Sequence, residues 1–505
     1  MKKRLSYSTD PSRREAIHEE FLRRAGRIPY LGFGLSVDVY SPDVFDLYQE
    51  LRREQIPIGY LEIFHAASEA LEMVRARLPD IPLAYHAEGV WVTQPDWDTA
   101  YNSQERLRAI AFNLRMLQAH WVNQECAAKE IAGFSFGTYL PPVFTSASAD
   151  ITAYQAWNAQ LQLDECAWGL RANSPLLLLE SPPLTYFLIG EMPYAEFFSN
   201  ITAMAPCGLV LDLGHVWTVY RYSGAWRSQC LESFFEDFLE QFPLERVIQI
   251  HIAGLDCHPH IPAQVGSGLY DHPPYWIDAH EAPIPDELLM LLARVIREPR
   301  LLNLKGIALE VDNKPIPLIC GEMKTVLTMM EPFVQVPARM PSPASNAQKV
   351  ETLLLENVEP SRETREVLTC QYREYMALVS EVLSGRLDVP NQWDVDMNTG
   401  LHVYATQYLP YEIVSWGGDV RVMFPNVCAM LDQYGISLKQ FVEFWFAHPR
   451  TSGSEYDFFL RKIDVFVEFI GQVFPGAGSL VKQEAELLAQ GYLLASREPL
   501  MKSRL

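Results

Sequence analysis

The sequence predicts a (βα)₈ barrel followed by a mostly α-helical domain. Three observations lead there. Short aliphatic runs alternate with amphipathic helical stretches through the first two-thirds of the chain. Several of those runs are continuous instead of alternating in polarity, as a strand covered on both faces must be. The texture then changes after a proline-rich break near residue 340.

The strand-like runs are Tyr30–Ser36, Ile56–Ile63, Ile81–His86, Trp121–Gln124, Pro175–Glu180, Gly208–Leu213, Arg246–Ile252 and Gly306–Val311. The text Leu-Leu-Leu-Leu-Glu at 176–180 and Leu-Val-Leu-Asp-Leu at 209–213 marks the buried, parallel kind. Helical patterns lie between them at Ser41–Gln55, which opens on a Ser-Pro-Asp cap, and at Ser103–Ala119, Pro285–Arg297 and Cys320–Met330. Eight strands with helices between them predict a barrel within residues 1–335.

Residues 336–348 carry three prolines and no periodicity, so they read as a linker. Residues 349–505 are expected to be mainly helical, over Val350–Leu383, Val420–Tyr434, Ser437–Phe446, Glu455–Val473 and Leu480–Leu493. Two strand-like runs interrupt them, His402–Gln407 and Glu412–Ser415.

The chain has 505 residues, 49% of them hydrophobic, and a net charge of −22. That charge argues against nucleic acid or an anionic membrane as the main partner, since both require a positive field. No stretch approaches the roughly 18 uninterrupted apolar residues of a membrane span. The basic N-terminus has no apolar run behind it and does not read as a signal peptide. Eight cysteines without CxxC spacing read as reduced, mostly buried thiols, so a cytoplasmic location is expected.

Barrel chemistry sits at the C-terminal ends of the strands. His86 closes the third run, Glu125 follows the fourth, Glu180 ends the fifth and Asp212 the sixth, with His215 three residues on. His251 ends the seventh, Asp278 and His280 follow it, and Glu310 and Asp312 end the eighth. Any one of these has an ordinary structural reading, as a hydrogen-bonded histidine or a helix cap. Together they converge on one mouth, where so many buried acids require cations.

The metal ligands expected are therefore His86, Glu125, Glu180, Asp212, His215, His251, Asp278, His280 and Glu310, with Glu180, Asp212 and His251 at the catalytic centre. Imidazoles mixed with carboxylates, without thiolate, leave iron, manganese and zinc open. The donors exceed one ion's needs, so two or three ions are expected, and Glu180 by its position could bridge two. Weaker candidates are the loop histidines His258, His260 and His272, the aromatic residues Trp91, Trp97, Tyr101 and Trp217, and the helical group Asp164, Glu165 and Cys166.

These segments resemble the multinuclear non-heme iron-dependent oxidases, the methanobactin-oxidase-like barrels. The carrying motifs are Gly32-Phe-Gly-Leu-Ser, Leu-Ala-Tyr-His86, Leu-Glu180-Ser-Pro-Pro-Leu-Thr-Tyr, Leu-Asp212-Leu-Gly-His215-Val-Trp, Val-Ile-Gln-Ile-His251-Ile-Ala-Gly, Ile-Asp278-Ala-His280-Glu-Ala-Pro and Leu-Glu310-Val-Asp312. The resemblance implies a barrel holding two or three Fe²⁺/Fe³⁺ ions and using dioxygen as co-substrate. It also implies a ribosomally made precursor peptide as substrate, modified at cysteine, and presented by a partner protein or by the chain's own C-terminal domain.

The chain differs from the family pattern at several ligand positions. It has Glu125 where the family has His, His215 and Ser181 where it has Asn, and Leu255 and Ala282 where it has further His. The family's Glu-Asn pair after strand two is absent, and only Glu62 and His65 are near. Two other readings compete: a redox-neutral divalent-metal barrel, an isomerase or phosphodiesterase, and a degenerate scaffold without catalysis.

Overall fold

The computed structural model describes residues 11–64, 66–99, 103–131, 134–168, 174–182, 186, 188–257, 273–274, 276–334, 356–383, 400–404, 408, 413–414, 419–447 and 458–495. In chain order the strands are β1 (Gly32–Val37), β2 (Tyr60–Phe64), β3 (Leu83–His86), β4 (Trp121–Glu125), β5 (Ala128–Ile131), β6 (Phe134–Leu140), β7 (Leu176–Glu180), β8 (Gly208–Asp212), β9 (Val247–Ile252), β10 (Leu255–Cys257), β11 (Trp276–Asp278) and β12 (Gly306–Glu310). Eight of them close a parallel barrel in the order β1-β12-β9-β8-β7-β4-β3-β2. Each corresponds to one of the eight aliphatic runs. The other four form two antiparallel pairs on the barrel's upper face, β5 with β6 and β10 with β11, and neither pair is among the expected strands.

Helices fill the connections: α1 (Pro11–Ala25), α2 (Val44–Arg53), α3 (Ser68–Arg77), α4 (Ser103–Leu117), α5 (Ser146–Trp168), α6 (Tyr194–Met204), α7 (Leu213–Tyr222), α8 (Leu231–Gln241), α9 (Asp286–Val295) and α10 (Ile316–Val334). The expected cap of α2 is real. Asp43 accepts from the backbone N–H groups of Phe45 and Asp46, which no intrahelical carbonyl can reach.

Side chains alternate along each barrel strand, so every second residue enters the interior. At the lower end these are Tyr60, Ala84, Trp121, Leu176, Leu178, Val210, Ile248 and Ala308. They form an apolar plug with Phe21, Ala25 and Ile28 at the end of α1. One layer higher, Trp121 Nε1 donates to Gln249 Oε1 at 2.8 Å and to Glu62 Oε2 at 3.2 Å, and Gln249 donates to Tyr60 Oη. The same alternation carried to the upper ends delivers His86, Glu180, Asp212 and Glu310, and His251 follows Gln249 after the irregularity in the β8–β9 register.

Beyond the barrel, α11 (Arg362–Leu383) packs against α5, and its buried residues Leu368, Tyr372, Met376 and Val379 belong to the same hydrophobic cluster as the barrel's outer face. The Arg365 guanidinium grips Asp98 with two bonds of 2.8 Å, and Tyr375 Oη donates to the Pro141 carbonyl. Five further helices follow at Val420–Met423, Pro425–Gln433, Leu438–Ala447, Phe458–Val473 and Gly478–Ala495 among the described residues. The two expected strands are corrected. Residues 400–404 are helical, as are 413–414, because β-branched text forms a strand only where a neighbouring ladder can take its backbone bonds. Residues 336–348, the expected linker, lie outside the described residues, as do His65, Tyr101, His258, His260 and His272. No described helix is long and apolar enough to cross a membrane.

Asp164, expected only as an ordinary helical residue, is buried and holds Arg24 of α1 at 2.6 Å. Arg24→Ala would leave that carboxylate without its cation under the plug. A cost of about 3 kcal/mol or more is expected. Chemical denaturation read by fluorescence measures it, and an unchanged midpoint would show that the pair contributes nothing to the closed end.

Candidate metal centre

The upper layer of the barrel places the expected ligands together. Glu180, at the end of β7, is 1% exposed and stands between two imidazoles. Its Oε2 lies 3.3 Å from His86 Nε2 and accepts a short bond from the Asn123 amide. Its Oε1 lies 2.8 Å from His251 Nδ1. That same nitrogen is 3.2 Å from Glu310 Oε1. Two groups of donors result, each with its ligand atoms within 4.8 Å of one another: Glu180, Asp212, His251 and Glu310, and His86, Glu125 and Glu180. Glu180 belongs to both.

Asp212 ends β8 and caps α7 at once. Its Oδ1 accepts the His215 backbone N–H at 2.7 Å, so the carboxylate that faces the barrel axis also fixes where the next helix starts. His215 therefore stands on the first turn of α7. Its Nδ1 is 3.0 Å from the Ser181 carbonyl and its Nε2 is 3.2 Å from Asp278 Oδ2. Asp278 ends β11, and its backbone N–H donates to Tyr186 Oη at 2.7 Å. His280 Nε2 faces Glu310 Oε2 at 3.5 Å and Asp278 Oδ1 at 3.7 Å, while its Nδ1 faces Asp312 at 3.2 Å. Gly254 lets this ligand loop cross the barrel end. A Cβ there would lie 1.8 Å from the Ala282 carbonyl oxygen.

All nine expected ligands thus border one region. His86, Glu125, His215, Asp278, His280 and Glu310 line a cavity of about 90 Å³ with Ser36, Phe64, Tyr139, Asp312 and Tyr408. Glu180, Asp212 and His251 form its floor, below the cavity surface. Glu62 is the residue that sequence reasoning left out of the ligand set. It is fully buried with Oε1 2.9 Å from His251 Nε2. The available signal was its place two residues before the end of a barrel strand, on the inward face. Trp91, Trp97 and Trp217 are buried in the core and are not among the residues lining the cavity.

The charges are compensated by protons in the metal-free chain. Burial disfavours the His86 cation, but the hydrogen bond it donates to Glu180 and the charges of Glu125, Glu180 and Glu62 outweigh it and lift its pKa to about 10. His215, His251 and His280 are raised well above the usual imidazole range, again because neighbouring carboxylates overcome burial. Burial would raise Glu180, yet His251 and His86 hold it well below the carboxylate range. Asp212 is pushed up to about 7 and Glu125 to about 8, by burial first and then by nearby carboxylates. The compensation is incomplete. Asp212 Oδ2 and Asp278 Oδ1 are buried without a hydrogen bond. Nitrogen and oxygen donors, orphaned atoms and a shared carboxylate fit divalent ions.

Comparison with known proteins places the barrel region in a family. A family model described as RiPP precursor modification enzyme MbnB/TglH/ChrH matches residues 44–330. A UPF0276 protein of Caulobacter vibrioides is 23% identical over 268 residues, which are 52% of this chain and 81% of that protein. Endonuclease IV from Thermus thermophilus is similar at 17% identity and a TM-score of 0.37, covering 60% of this chain and 99% of its own. A sugar phosphate isomerase/epimerase from Parabacteroides distasonis gives 14% identity and 0.36, covering 60% and 96%.

The titrations give a signed expectation. Asp212, Glu125 and His86 all hold their protons more tightly in the folded, metal-free chain than in the unfolded one. Each therefore contributes less to stability as pH rises, between 3.8 and about 7 for Asp212, 4.5 and about 8 for Glu125, and 6.5 and about 10 for His86. A metal ion replaces those protons, so its stabilisation grows over the same range. The rise in Tm caused by metal should be larger at about pH 8.5 than at about pH 6.5, and uptake should release about one proton from His86 alone. Calorimetry in buffers of different ionisation enthalpy measures the release. Uptake without proton release would contradict the charge assignment.

Proposed function

The chain belongs to the RiPP precursor modification enzyme family MbnB/TglH/ChrH, and on that premise we propose that it is a dioxygen-dependent multinuclear non-heme iron oxidase acting on a ribosomally synthesised peptide at cysteine. The observation that carries this reading is the pair of donor groups sharing Glu180. Its donors are nitrogen and oxygen only, and no described cysteine lines the cavity. A substrate thiolate would be the one soft ligand there.

His86, Glu125 and Glu180 would hold one ion. Glu180, Asp212, His251 and Glu310 would hold a second, and His215, Asp278 and His280 flank the pair as donors for an adjacent position. Bound iron would supply the activation of dioxygen and the acidification of a substrate thiol.

The chain's own residues prepare the rest. Glu62, 2.9 Å behind His251 Nε2, holds that ring so that Nδ1 faces Glu180 and Glu310. The Ser181 carbonyl accepts the His215 Nδ1 proton and leaves Nε2 directed at the cavity. Asp312 does the same behind His280. Such carboxylates and carbonyls fix a ligating imidazole's tautomer and orientation. Phe64, Ala279 and Tyr408 form apolar walls that would shield the bound substrate side chain from water. The peptide is the partner this reading requires, presented by a partner protein or by the region after residue 349.

Anaerobic purification, metal analysis and dioxygen uptake with a cysteine-bearing peptide test the chemistry. Iron with peptide-dependent uptake is expected. A protein that holds only zinc and is inert to oxygen would refute it. Within the site, Glu180→Gln should remove metal from both donor groups, whereas His280→Ala should cost about one equivalent or less, since second-position ligands survive. Metal-to-protein ratios after reconstitution decide between them. Equal losses in the two variants would mean that Glu180 is not shared.

A further inference from the structure

The cavity wall contains one residue from far beyond the barrel. Tyr408 lines it together with Phe64, Tyr139 and the donors His86, Glu125, His215 and His280. It lies 78 residues after the last position of the family match, which ends at 330. So the barrel shared with relatives does not by itself complete this cavity.

Tyr408 is held firmly. Only 7% of it is exposed. Its ring stacks on Tyr404 with centroids 5.8 Å apart and planes at 9°, and meets Tyr186 at 5.8 Å. Tyr186 is the residue whose hydroxyl accepts the backbone N–H of Asp278. Tyr404 Oη donates to the carbonyl of Tyr139, another residue of the cavity lining, at 2.9 Å. The approach is close enough to require glycine. A Cβ on Gly400 would sit 1.4 Å from the Tyr186 carbonyl oxygen. The turn that begins at Gly400 is therefore seated on the loop that bears Tyr186, and through it on the loop that bears Asp278.

We propose that Tyr408 is a specificity-determining wall of the metal cavity, against which the substrate side chain bound at the metals packs, so that the region after residue 400 limits the bulk that is accepted. The proposal rests on the metal-site reading above and adds the selecting residue. A cavity of about 90 Å³ admits a small side chain such as that of cysteine, and is far below the several hundred Å³ of a site that encloses a whole small molecule. The ring faces of Tyr408 and Phe64 suit a polarizable sulfur. Removing the phenol ring enlarges the cavity that Tyr408 lines.

The test uses the full chain loaded with Co²⁺, whose absorption reports each new ligand. N-acetylcysteine amide and its β,β-dimethyl analogue, N-acetylpenicillamine amide, are titrated and the thiolate-to-cobalt band is followed. Imidazole and 2-methylimidazole form a parallel pair without sulfur. In the unmodified chain the smaller member of each pair should bind at least about tenfold tighter. Tyr408→Ala should erase that preference, with metal content unchanged. Tyr408→Phe should keep it, and Tyr408→Leu should fall between and guards against a folding failure of the alanine variant. An alanine or leucine variant with full metal content and the preference intact overturns the proposal. A chain that binds both imidazoles and neither thiol refutes the cysteine reading instead, while the azole pair still decides the role of Tyr408.

Discussion

Glu180 is a carboxylate buried to 1% exposure, with His86 on one oxygen and His251 on the other. Such a group is tolerable only if positive charge stands close on both sides. The barrel meets that demand through geometry. The last inward residue of β7 reaches across the interior to the ends of β3 and β9, where His86 and His251 stand. Protons on the imidazoles supply positive charge, and divalent ions would supply it better, because they would also satisfy Asp212 Oδ2 and Asp278 Oδ1, which lack a hydrogen-bond partner. The remaining donors are arranged around this demand. Asp212 shares a donor group with Glu180, and burial, with carboxylates beside it, pushes its own carboxyl up to about 7.

The supporting layer below has the same logic. Glu62 keeps His251 in place, Trp121 Nε1 donates to Glu62, and Gln249 ties Trp121 to Tyr60. These polar atoms would be costly in the apolar plug beneath, where α1 closes the barrel with Phe21 and Ala25. They lie instead at the boundary between plug and ligands. The barrel interior thus passes from apolar at the lower end, through neutral hydrogen bonds, to charge at the upper end.

The eight barrel strands were legible because a strand covered on both faces has to be written in nearly unbroken aliphatic text, as 176–179 is. The ligand positions were legible because His86, Glu180, Asp212, His251 and Glu310 each break such a run at or one residue before its end. Glu62 was not, since it lies inside its strand and its meaning depends on which face points inward. The β5–β6 pair escaped because its text, Ala-Lys-Glu-Ile and Phe-Ser-Phe-Gly-Thr-Tyr-Leu, does not pair within any barrel run. After residue 400 the local text misled: Tyr404 and Val403 favour strands, but the backbone there has no ladder to join and coils onto Tyr186 instead.

That last departure bears on how the two parts of the chain work together. An independent module tethered by a linker would touch the barrel through a polar, separable surface. Here α11 shares a hydrophobic cluster with α5, Arg365 is locked to Asp98, and an aromatic stack of Tyr404, Tyr408 and Tyr186 runs from the C-terminal region to the backbone of a ligand-bearing strand. Any motion that presents a peptide to the metals must therefore either leave this stack intact or move Asp278 with it. Because Asp278 faces both His215 and His280, the second course would rearrange the donors themselves. Substrate entry is thus better served by the side of the mouth away from Tyr186, with the stack as a fixed back wall.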